Sequence, residues 1–83
     1  MAKVVYVAVA PDGTKFIRTS NHHYTHAALA CDPAGRWQLI GFCGSQAGAQ
    51  FRIHEVKERW SGLMDIRQHK FTSVAVNTKP PRN

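Results

Sequence analysis

Apolar residues recur along this chain at two different periods, and the change of period falls at Gly44-Ser45. Lys3 to Ala10 is apolar and largely β-branched, which suits a strand that is central or covered by a helix. Pro11-Asp12-Gly13-Thr14 turns it, and Lys15 to Thr19 returns. The same phrase is then repeated. Ala28-Leu29-Ala30-Cys31 runs into Asp32-Pro33-Ala34-Gly35, and a second run follows that opens, like the first, with a basic residue and an aromatic, here Arg36-Trp37. An apolar run, a Pro/Asp/Gly turn and a second run is the local signature of an antiparallel hairpin. Between the hairpins, Ser20 to His23 is a polar connector. Tyr24 to Cys31 then reads as the third strand, with Tyr24, His26, Ala28 and Ala30 on one face and Thr25, Ala27, Leu29 and Cys31 on the other. Alanine content makes a short helix over 24–30 the competing reading; the repeated phrase decides for a strand.

A fourth strand runs from Arg36 to Cys43. Gly44 breaks it and Ser45 offers a helix cap. Ala49, Ile53, Val56 and Trp60 then recur at helical spacing and share one narrow stripe. Arg52 and Lys57 flank that stripe, Arg59 lies near Arg52, and Phe51 falls almost opposite, beside Glu55 and Glu58. Either Phe51 is exposed or the helix begins after it, and the second alternative is the expectation. Ser61-Gly62 closes the helix. Leu63 to Lys70 is a linker with two apolar anchors, Met64 and Ile66. Phe71 to Asn77 alternates as a last strand. These elements predict an α+β fold, an antiparallel sheet of about five strands (two hairpins plus a C-terminal strand) with one amphipathic helix packed on it. Residues 1–78 are expected to form one domain, and 79–83, which include Pro80-Pro81, a flexible C-terminal tail.

Composition agrees with a small globular domain: 83 residues, 43% hydrophobic, two tryptophans. Charge adds an asymmetry. The formal net charge is +6, and the first fifty residues hold four basic and two acidic side chains against seven and three in the rest. A field of that sign favours polyanions or an acidic protein surface. Arg52, Lys57, Arg59, Arg67 and Lys70 are the concentrated charge and the expected partner-binding surface. The start of the chain reads as a strand and no apolar stretch is long enough to span a membrane, so a cytoplasmic protein with reduced, buried Cys31 and Cys43 is expected.

Chemistry has less to stand on. His22, His23, His26, Cys31 and Cys43 are metal-ligand types, and His22 and His26 have a suitable spacing, but no CxxC answers them, so neither a metal nor another cofactor is expected. Cys43, His26 and Asp32 form no recognisable nucleophilic arrangement, and the five carboxylates are scattered, so the protein is expected not to be an enzyme. Nucleic-acid binding draws on the basic residues from Arg52 to Arg82, with Phe51 and His54 for stacking; no helix-turn-helix, zinc-finger or RNP-type pattern accompanies them.

Phe16-Ile17-Arg18-Thr19-Ser20, Tyr24-Thr25-His26-Ala27, Gly35-Arg36-Trp37 and Gly41-Phe42-Cys43-Gly44 resemble small bacteriophage-encoded proteins of unassigned function. The resemblance covers residues 10–50, departs after Ser45 and brings no catalytic residues with it. By analogy with anti-CRISPR proteins, it implies a non-catalytic inhibitor that binds a host protein or ribonucleoprotein complex, a CRISPR-Cas effector being the suspected target. The alternative is a small basic nucleic-acid-binding module.

Overall fold

In the computed structural model, which describes residues 3–79, the two repeated phrases fold into the same hairpin. In the first, the Ala10 N–H donates to the Thr14 carbonyl at 2.8 Å and the Gly13 N–H to the Ala10 carbonyl at 2.9 Å. In the second, Asp32 N–H donates to Arg36 O and Gly35 N–H to Asp32 O, both at 2.9 Å. Pro11 and Pro33 occupy the position where a fixed φ suits the turn. Gly13 and Gly35 follow with φ of 94° and 89°, the left-handed conformation that closes this kind of hairpin. A carboxylate clamps each turn, Asp12 accepting from the Thr14 N–H and Asp32 from the Arg36 N–H.

The first hairpin comprises β1 (Val4–Val9) and β2 (Lys15–Ser20), the second β3 (His26–Cys31) and β4 (Trp37–Cys43). Helix α1 (Gln46–Ser61) follows, then β5 (Lys70–Ala75) and β6 (Asn77–Lys79). The fold is α+β, with six strands in two three-stranded antiparallel sheets, β2-β1-β6 and β4-β3-β5. The expected single sheet of about five strands is thereby corrected. Its last strand breaks at Val76: Ala75 still pairs with His26 of β3, whereas Asn77 pairs with Val7 of β1. Val76 itself donates its N–H to Thr25 O at 2.9 Å, so one extended segment serves both sheets in turn. Lys79, assigned to the expected tail, pairs with Val5 in β6; residues 80–83 lie outside the described residues.

Sheet β4-β3-β5 is apolar on both faces, and each face has its own core. Ala27, Phe42 and Val74 pack with Tyr6 and Ala8 of the first sheet. On the other face Ala28, Cys43, Ile40 and Phe71 pack with Ala49 and Ile53 of α1. The register changes between Ala28 and Leu29, because Gly41 pairs with the first and Leu39 with the second, which bulges β4 at Ile40. Tyr24 departs from the alternation expected of it. It precedes β3 and packs with Phe42 and, edge-on at 5.1 Å, with Tyr6, whose hydroxyl donates to His22 O.

Ser45 caps α1 by accepting from the Gly48 N–H at 2.9 Å. Ala49, Ile53 and Val56 are buried, and Trp60 is half-buried at the end of the same stripe. Because the cap fixes the start at Gln46, Phe51 lies within the helix and is 63% exposed, against the expectation that the helix begins after it. No helix among the described residues is long and apolar enough to cross a membrane.

Candidate interaction surface

The C-terminal end of α1 meets the start of β5 in an aromatic trio. The Trp60 ring stands 5.9 Å from His69, edge-on, and 5.9 Å from Phe71, while His69 stacks on Phe71 at 6.4 Å. Local geometry brings them together: Trp60 ends the apolar stripe, and His69 and Phe71, two residues apart on an extended segment, project to the same side. The Lys57 ammonium lies 5.2 Å from the Phe71 ring centre, a cation over a π face. The rings are half-buried, and the His69 Nδ1 is enclosed without a hydrogen-bond partner.

Beyond Gly62 the chain turns tightly, with the Leu63 and Met64 N–H groups both donating to Trp60 O, at 2.9 and 2.8 Å. This holds two large apolar residues in solvent, Leu63 at 76% exposure and Met64 at 46%. Met64 is therefore not the anchor expected of it. Ile66, the other expected anchor, is half-buried, and its carbonyl accepts from the His69 N–H.

The five expected partner-binding residues do not form one surface. Lys57 lies at this corner, over Phe71, while Arg59, in the last helical turn, is on the flank of α1 that Arg52 shares. Arg52 leans the other way, its guanidinium above Gly41 of β4, where a side chain at position 41 would meet it at 3.6 Å. Arg67 is tied to Asp65 by two parallel bonds, Nε to Oδ1 at 3.0 Å and Nη2 to Oδ2 at 2.8 Å. That guanidinium holds the Asp65 carboxyl below the usual range, and the carboxylate raises Arg67 in turn. Lys70 pairs with Cys31, on the face of β5 opposite Phe71.

The metal-ligand residues are also dispersed. His26 pairs directly with Cys43, but Cys31 ends β3 five residues further on, about 16 Å away at the rise of a strand, and on the other face. Both thiols are free and buried. Among the described residues no three His, Cys, Asp or Glu side chains gather as a metal site, and none line a pocket.

No protein-family model, curated protein or solved structure matches the chain.

Proposed function

We propose that this is a non-catalytic binding protein that docks on an acidic surface of a host protein or ribonucleoprotein complex through the corner formed by Trp60, Leu63 and Met64. The observation that carries this reading is the exposure of Leu63 and Met64 beside a half-buried tryptophan, with Lys57 over Phe71 and Arg59 in the last helical turn. Tryptophan, methionine and arginine are the residues that interface centres concentrate, because they remove much apolar area from water while the surrounding charges set the sign and speed of encounter. Inhibition of a CRISPR-Cas effector in the host cytoplasm is the finer form of the proposal. It is supported by the resemblance over residues 10–50, which supply β2 to β4 and the start of α1.

The aromatic trio with Lys57 favours a second reading, a single-stranded nucleic acid stacked on the rings. It has fewer free cations to draw on, since Arg67 is committed to Asp65.

Purified CRISPR effectors and nuclease-treated host lysate separate the two. The protein is expected to slow target cleavage by an effector and to retain a protein partner after nuclease, and a Leu63→Ser, Met64→Ser double variant, folded as the parent, is expected to lose both. Binding that disappears with nuclease and falls steeply with salt replaces this reading with the nucleic-acid one.

A further inference from the structure

Strand β1 is apolar on both faces, and one of them carries exposed apolar side chains. Val4, Tyr6 and Ala8 face the core shared with the second sheet. Val5, Val7 and Val9 share the opposite face with their partners Lys15, Ile17 and Thr19 of β2 and Asn77 and Lys79 of β6. On that face Val7 is buried and Val5 half-buried, while towards the edge and the turn Ile17 is 62% exposed and Val9 38%; α1 packs against β3, β4 and β5.

Strand β2 is also an edge of its sheet among the described residues. The Ala10 N–H bonds Thr14 beside the turn, so antiparallel alternation makes Ala8–Phe16, Tyr6–Arg18 and Val4–Ser20 the hydrogen-bonded pairs. The N–H and C=O groups of Lys15, Ile17 and Thr19 then point away from β1, into open space at the edge. This edge runs six residues in unbroken register, without proline or glycine. The other edges are less regular. β4 is bulged at Ile40 and has Arg52 over Gly41, and the outer edge of β5 and β6 is broken at Val76.

Charge narrows the occupant. Strands β1, β2 and β6 contain no Asp or Glu and hold Lys15, Arg18 and Lys79. A second copy, itself carrying +6, is disfavoured at this edge. We propose that β2 is a docking edge for an extended acidic segment of a partner protein, added antiparallel as a further strand. Main-chain bonds to Lys15, Ile17 and Thr19 would hold the segment, and its side chains would select it. A segment reading Thr-Thr-Glu-Val-Val-Glu sets glutamates opposite Lys15 and Arg18 and valines opposite Phe16 and Ile17. None of these residues belongs to the Trp60 corner, so this proposal stands or falls separately from it.

Amide hydrogen exchange followed by NMR tests it, using a synthetic peptide with that six-residue core and a counterpart with lysine in place of both glutamates. In the free protein the amides of Phe16, Arg18 and Ser20 are expected to exchange slowly and those of Lys15, Ile17 and Thr19 fast. The acidic peptide at roughly 1 mM, a concentration suited to weak strand addition, is expected to slow the second set about tenfold or more. The lysine peptide leaves that set fast. An Ile17→Lys variant, whose retained slow exchange at Phe16 and Arg18 shows β2 still paired, loses the response. No slowing at Lys15, Ile17 and Thr19, equal slowing by both peptides, or protection confined to the Trp60 corner overturns the proposal.

Discussion

Gly13 and Gly35 show how much of this fold turns on single residues. Their φ values of 94° and 89° lie where side chains are strained, yet an added Cβ at either would meet nothing within 4 Å. The cost of alanine there is conformational alone. Gly13→Ala and Gly35→Ala are each expected to lose about 1 kcal/mol in denaturant melts with an unchanged m-value, and a loss near zero would contradict the left-handed turn. The carboxylates beside these glycines act through hydrogen bonds that favour their charged form. The Thr14 N–H holds the Asp12 carboxyl below its usual range, and the Arg36 N–H does the same for Asp32. A folded-state pKa below the unfolded one gives stability that is fully present above about pH 4, the ordinary carboxylate value, and lost as pH falls through the lower folded values. Stability should therefore fall on acidification below about pH 4. An Asp12→Asn, Asp32→Asn variant should show a shallower acid limb, whereas an identical limb would remove these turns from the acid response.

At the level of elements, the helix stripe divides into a buried part and a half-buried end. Ile53 is 6% exposed and packs with Ala28, Cys43 and Ala49, so Ile53→Ala should cost about 2–5 kcal/mol in denaturant melts. Trp60 keeps part of its ring in water, and Trp60→Ala should cost less than Ile53→Ala. A larger loss at Trp60 would make it core rather than surface. Both hairpins and the stripe and end of the helix were legible in the sequence, because a Pro/Gly turn and a period of 3.6 are local signals; its start was not, since the Ser45 cap and the apolar Phe51 pointed to different residues. The break at Val76 was not legible. One residue that changes which sheet a segment joins leaves the two-residue alternation of Phe71 to Asn77 undisturbed. Tyr24 misled for a related reason: it falls in phase with His26 and Ala28 but precedes β3, and the attraction of Tyr6 and Phe42 placed its ring on the other face.

At the scale of the molecule, the five basic side chains between Arg52 and Lys70 do not gather on one face, although in sequence they run together. The helical angle already set Arg52 and Lys57 on opposite flanks. Only topology reveals that one flank meets β4 and the other β5, and only the alternation within β5 turns Lys70 away from Phe71. Trp60, His69 and Phe71 were each visible as residues, but their meeting depends on where the 62–69 segment returns the chain. The proposed protein partner docks at this corner. Site-specific photocrosslinking in nuclease-treated host lysate tests this, with a photoreactive side chain at Leu63 in one variant and at Phe51, also exposed but on the far side of α1, in another. A discrete protein adduct is expected from position 63, absent from position 51 and weakened when Lys57 and Arg59 are reversed to glutamate. Adducts of equal strength from both positions, or none from position 63 once nucleic acid has been digested, would contradict it.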